Sequence, residues 1–145
     1  MSRFRKLTHT LWHCQYHIVW TPKYRFRVLT GGVKKDVEYS IITNVEQMGG
    51  EVVELNVQID HVHLLVMLAP KYKVSDLVGR IKGKSAQRVL RIFPELRKKR
   101  YWGNHFWAQG YCVDTVGINA DMIQKYVRYQ EAKDVREEQL RFNLK

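Results

Sequence analysis

The feature that most constrains this chain is a change of phase in its apolar alternation between Glu51 and Leu68. Val53, Leu55 and Val57 alternate with Glu54, Asn56 and Gln58, the period of two of a half-buried strand. Past Asp60 the phase reverses, with Val62, Leu64, Val66 and Leu68 on one face and His61, His63, Leu65 and Met67 on the other. Polar residues at Gln58 and Asp60 mark the reversal, so the stretch predicts two antiparallel strands joined by a tight hairpin. The second strand reads as interior. His61 and His63, two residues apart, must share one of its faces. Two imidazoles held this way can converge on one metal ion, or they can be histidines of a packed or wet sheet face.

Charge narrows the choice. Lys and Arg number 25 against 14 Asp and Glu, a net charge of +11, which is the footprint of a protein that meets a polyanion. The excess is clustered: no acid precedes Asp36, whereas Arg3, Arg5, Lys6, Lys23, Arg25, Arg27, Lys34 and Lys35 do. Between Leu77 and Val113 the only acid is Glu95, amid nine Lys and Arg. Nucleic acid is the expected partner. The 145 residues fit one domain spanning 1–145. No apolar run reaches the length of a membrane span, no signal peptide opens the chain, and Cys14 and Cys112 are too few for a disulfide framework, so a cytoplasmic protein is expected.

The remaining elements follow from period and punctuation. His13 to Leu29 reads as a strand or pair of strands broken at Thr21-Pro22. Here Tyr24, Phe26 and Val28 alternate with Lys23, Arg25 and Arg27, giving a basic face suited to a phosphate backbone. His13 and His17 also fall here, but a second site is not expected of them. A helix follows Gly31-Gly32, with Val33, Val37, Ile41, Val45 and Met48 as its core stripe and Gly49-Gly50 as its stop. Ser75 is the expected N-cap of a second helix, ended by Pro94, with Leu77, Ile81, Ser85, Val89 and Ile92 facing the core. On another flank of that helix Arg80, Lys84, Arg88 and Arg91 line up, and phosphate contact is expected of them along with Lys23 and Arg25. Gly79 and Gly83 are read as permitting close backbone approach.

His105 to Val116 reads as a last strand carrying Phe106, Trp107 and Tyr111; with Tyr101 and Trp102 these rings suit base stacking, or simple core packing. Asn119, with Ile118 and Ile123 as a hydrophobic staple, predicts the start of a helix running to about Leu140. That helix holds Tyr126 and Gln130, four apart and so on one face. Opposite a His-x-His pair they are candidates for a nucleophile and a third metal ligand.

Taken together, the chain resembles the HUH single-tyrosine transposases, the IS200-like family of small insertion sequences that move as single-stranded DNA. The resemblance covers most of the chain. It rests on Tyr16-His17-Ile18-Val19-Trp20-Thr21-Pro22-Lys23-Tyr24-Arg25, Asp60-His61-Val62-His63-Leu64-Leu65, Lys82-Gly83-Lys84-Ser85, Phe106-Trp107-Ala108-Gln109-Gly110-Tyr111 with Thr115-Val116-Gly117, and Tyr126 with Gln130. It implies an α+β fold, a ferredoxin-like or RRM-like antiparallel sheet with helices packed on it and a tyrosine-bearing C-terminal helix. It further implies His61, His63 and Gln130 as ligands of Mg2+ or Mn2+, Tyr126 as the nucleophile, hairpin-ended single-stranded DNA as substrate, and a homodimer. Tyr129 stands where relatives usually carry Asn, and lies about 100° round the helix from Gln130. Ile59 stands where proline is common. Other readings of the same residues are a non-catalytic single-strand-binding module, a host-domesticated repeat-processing relative, and a small-nucleotide phosphoesterase.

Overall fold

A computed structural model describes residues 5–7, 10–98, 105–117, 127–128, 132 and 134–141. The strands are β1 (Arg5–Leu7), β2 (Thr10–Trp12), β3 (Gln15–Trp20), β4 (Glu51–Gln58), β5 (His61–Met67) and β6 (Cys112–Thr115), and the two long helices are α1 (Gly31–Gln47) and α2 (Val74–Ile92). The chain divides into two compact units, Trp12–Val116 and the remainder. β1 pairs with β2, and in the remainder residues 127–128, 132 and 134–141 are helical.

Within Trp12–Val116 the four-stranded sheet has the order β4-β5-β3-β6. Every pairing is antiparallel. With α1 between β3 and β4 and α2 between β5 and β6, this is the ferredoxin-like α+β arrangement, as expected. The hairpin forms where the phase reverses: Gln58 pairs with His61 across the two turn residues Ile59 and Asp60. β5 lies between β4 and β3, which makes it an interior strand.

Both helices cover one face of the sheet. Val62, Leu64 and Val66 of β5 are fully buried, as are Val37, Ile41 and Val45 of α1 and Leu77, Ile81, Ser85 and Val89 of α2. Burial of this interleaved cluster favours folding at about 25 cal/mol per Å2 of apolar surface removed from water. α1 ends where Gly49 takes φ +70 and Gly50 N–H donates to Val45 C=O at 2.9 Å, a Schellman-type close. A side chain at Gly50 would meet the Met67 carbonyl at 2.9 Å, so here glycine also lets α1 join the sheet.

Several local expectations are corrected. β3 ends at Trp20; Lys23–Arg25 form a 3-10 turn, with Tyr24 at φ 58 and Arg25 at φ 51, rather than more strand. Pro22, which lacks a donor, and the left-handed pair behind it stop the ladder. A register shift between Val52 and Glu54 turns Val53 outward, 45% exposed, and puts Val52 against the core instead. α2 starts after Lys73, not at Ser75, and no side chain caps it. Ile92 is exposed at its far end. The last strand is only Cys112–Thr115, because residues 105–111 form an irregular segment. There Lys23 N–H donates to Phe106 C=O (2.9 Å) and Ala108 N–H to Thr21 C=O (3.0 Å). The expected cap at Asn119 and staple at Ile118 and Ile123 lie outside the described residues.

Candidate active site

The pleat of β5 that buries Val62 and Leu64 turns His61 and His63 to the face opposite α1 and α2. Both are half-buried. His63 stands opposite Val19 of β3 and Asn56 of β4, and His61 opposite Gln58. The pairings hold the two rings on a strand supported from both sides, so their spacing is fixed by backbone rather than by loop.

A third histidine joins this face. His17, opposite Leu65 on β5 and Asp114 on β6, brings its Nδ1 to 3.0 Å from His63 Nε2, the ring centroids being 5.2 Å apart. One proton serves both nitrogens, one ring donating and the other accepting. Sequence reasoning passed over His17 because it weighed the residue against His13 on its own segment. The missing signal was the register of β3 on β5.

Around His61 the geometry is polar and ordered. His61 Nδ1 lies 2.9 Å from Asp60 Oδ1, and Arg25 Nη2 donates to Asp60 Oδ2 at 2.9 Å. Accepting from His61 foremost, with the Arg25 guanidinium beside it, holds the Asp60 carboxyl below the usual aspartate range. Arg25 reaches it because Leu29 N–H donates to Ile59 C=O at 3.0 Å, docking the segment after the 3-10 turn onto the hairpin. Among the described residues no group of three or more His, Cys, Asp and Glu side chains could hold a metal ion. Tyr126 and Gln130, the expected nucleophile and third ligand, lie outside the described residues.

The basic residues divide. Arg80 donates to Asn44 Oδ1 (3.1 Å) and to Gln47 Oε1, and Arg88 Nε donates to Asp36 Oδ1 (2.6 Å) with its guanidinium 4.9 Å from the Tyr39 ring centroid. These two brace α2 against α1. Lys84 and Arg91 are exposed on α2, and the Arg25 side chain is 68% exposed despite its bond to Asp60. Lys23 Nζ sits 5.4 Å over the Tyr24 ring, which is itself exposed. Among the described residues, nothing lies within 4 Å of a Cβ added at Gly79 or Gly83. Lys82 donates to the carbonyls of Ala108 (2.6 Å) and Gly110 (3.0 Å), and burial pushes its ammonium pKa down. Trp107 is core: it is 7% exposed and its indole N–H donates to Ser85 Oγ at 2.8 Å. Tyr111 is exposed; Tyr101 and Trp102 lie outside the described residues.

The antiparallel ferredoxin-like sheet, with His61 and His63 on one face of an interior strand, defines an α+β class, and comparison with known proteins makes it specific. The family described as "Transposase IS200 like" matches residues 10–130. The transposase for insertion sequence element IS200 of Salmonella typhimurium is 38% identical over 140 residues, covering 97% of this chain and 91% of that protein. The ISDra2 transposase TnpA of Deinococcus radiodurans is 37% identical over 125 residues, 86% of this chain and 89% of that one. A crystal structure of a candidate transposase from Deinococcus radiodurans R1 superposes with a TM-score of 0.72 at 35% identity, covering 87% of this chain and 97% of that one. A REP-associated tyrosine transposase bound to a REP hairpin shares the fold, with a TM-score of 0.57 at 15% identity over 94% of this chain and 74% of that one. The chain belongs to the IS200-like transposase family. No described helix is long and apolar enough to cross a membrane.

Proposed function

We propose that this transposase cuts and rejoins single-stranded DNA through a covalent link to Tyr126, with His61, His63 and Gln130 holding Mg2+ or Mn2+. The observation that carries the reading is the pair of half-buried histidines fixed on one face of an interior strand, with His61 beside a carboxylate. Two neutral imidazoles and an amide oxygen form a mixed nitrogen and oxygen set that leaves positions for phosphate oxygens. The ion, when bound, supplies Lewis-acid polarisation of the scissile phosphodiester. Tyr126 Oη attacks phosphorus, the bond from phosphorus to the 3'-oxygen breaks, the phenol proton is released and the departing 3'-oxygen takes one up. A 5'-phosphotyrosine and a free 3'-hydroxyl result. The reverse step on another strand end rejoins DNA without ATP, because the link conserves the phosphodiester's energy.

Lys23, Arg25, Lys84 and Arg91 meet the DNA backbone, while Arg80 and Arg88 contribute to the field of the α2 face from their braced positions. Hairpin DNA is the natural substrate to try, since a protein of this fold binds a REP hairpin. The active species is a homodimer acting in the cytoplasm, the whole chain serves as one transposase domain, and Tyr126 completes the site of its own or of a second copy.

The test is incubation with labelled single-stranded hairpin DNA and Mn2+, followed by a denaturing protein gel. A shifted covalent band is expected. Tyr126→Phe removes the band while leaving hairpin binding, and His61→Ala or His63→Ala removes metal-supported cleavage. An adduct that survives Tyr126→Phe refutes the nucleophile. Binding without any adduct, indifferent to divalent ions, returns the chain to the class of single-strand-binding modules.

A further inference from the structure

A histidine that is to bind a metal must present a bare nitrogen, and for His61 the surrounding residues decide which nitrogen that is. An ionised carboxylate only accepts hydrogen bonds. With Asp60 Oδ1 at 2.9 Å, His61 Nδ1 therefore carries the proton and the neutral ring's lone pair is on Nε2. A histidine without a partner in water prefers the opposite tautomer, with the proton on Nε2. His63 is not held this way: its Nε2 faces His17 Nδ1 at 3.0 Å.

Asp60 is itself fixed on both sides. It sits in the two-residue turn that joins β4 to β5, and its second oxygen accepts from Arg25 Nη2 at 2.9 Å. Arg25 comes from the left-handed 3-10 turn, φ 51 at Arg25 and 58 at Tyr24, two positions that bulky side chains rarely adopt and that surrounding structure must hold. The two Asp60 oxygens have a hydrogen-bond partner on each side, His61 and Arg25. His61, Asp60 and Arg25 thus form a line running from β5 to the 3-10 turn.

We propose that Asp60 is a positioning residue for the metal site, holding His61 with its proton on Nδ1 and Nε2 bare, and that Arg25 holds Asp60 in place. The proposal rests on the metal reading above and adds a residue that touches neither metal nor DNA phosphorus. Outer partners of this kind orient the ring and raise its basicity, and their loss typically weakens metal binding about 10- to 100-fold.

The experiment uses the full chain with 15N-labelled histidine. Long-range proton–nitrogen NMR of the metal-free protein reads the tautomer, and Mn2+ titration followed by electron paramagnetic resonance reads affinity. In the wild type His61 shows a protonated Nδ1 and a bare Nε2. Asp60→Ala moves the proton to Nε2 and weakens Mn2+ binding about 10-fold or more. Asp60→Asn, whose side-chain oxygen still accepts, restores the wild-type tautomer and much of the affinity. A wild-type His61 protonated on Nε2 overturns the proposal, as does an Asp60→Ala variant that binds Mn2+ as tightly as the wild type. Failure of the wild type itself to bind Mn2+ overturns the metal reading, and with it the purpose given to Asp60.

Discussion

Leu64 and Leu65 are neighbours with opposite duties, and exchanging each for alanine measures how one-sided the sheet is. Leu64 is fully buried beneath the helices, opposite Ile18 of β3 and Leu55 of β4. Leu65 is half-buried on the histidine face, opposite His17. Leu64→Ala removes transfer energy and leaves a cavity that strands on both sides cannot close, costing about 3 kcal/mol within the usual 2–5 range. In a unit near 100 residues that lowers Tm by on the order of 12 °C. Leu65→Ala exposes less new surface and opens no sealed cavity, so its cost is about 1 kcal/mol. Urea unfolding followed by tryptophan fluorescence reads both, because Trp20 and Trp107 are 2% and 7% exposed. The midpoint should move at constant slope. Equal losses for the two leucines would refute the reasoning, since the histidine face would then carry as much packing as the helix face.

Three further outcomes separate structural from functional roles. Arg88→Met lowers thermal stability by leaving the Asp36 carboxylate without its 2.6 Å donor, whereas the pair Lys84→Met and Arg91→Met leaves Tm unchanged and reduces the salt slope of single-strand binding by about 1.4, at about 0.7 per phosphate contact. The reverse pattern would reassign the row. Ser85→Ala strands the buried Trp107 indole N–H and costs about 1–3 kcal/mol by chemical denaturation; no loss would mean the 2.8 Å bond is dispensable. The Asp60 carboxyl titrates below the usual aspartate range because it accepts from His61 and lies beside Arg25. A depressed folded pKa gives stability that is present above the unfolded value and is lost as pH falls through the folded one. Carbon-13 NMR should find its midpoint below that of an unstructured aspartate, and an ordinary midpoint would sink the hydrogen-bonded line through His61.

The parts of the fold written in short-range pattern were legible. The phase reversal at Asp60 located the hairpin, and the recurrence from Val37 to Val45 located the buried stripe of α1, because burial on one face imposes a period. What depends on pairing across long separations was not. The meeting of His17 with His63, 46 residues apart, follows from the register of β3 on β5, which neither strand encodes alone. Val53 looked like a core position until a bulge turned it out. Arg80, Lys84, Arg88 and Arg91 read as one basic flank, but Asp36, Asn44 and Gln47 on another helix claim two of them. The same side chain can serve a helix interface or a phosphate, and only the neighbour decides.

The two-residue turn at Ile59 and Asp60 also sets a rule for how relatives of this chain can vary in length. Pairing of Gln58 with His61 locks the alternation of both strands, so one residue gained or lost there would send His61 and His63 into the helix-covered side and Val62 out to water. Length changes in the descent of such chains should therefore be absent between Leu55 and Val66 and gather in segments with no partner strand, such as residues 68–73 between β5 and α2. A bound ion need not be invoked for that prohibition, since the apolar half of the hairpin enforces it on the histidine half.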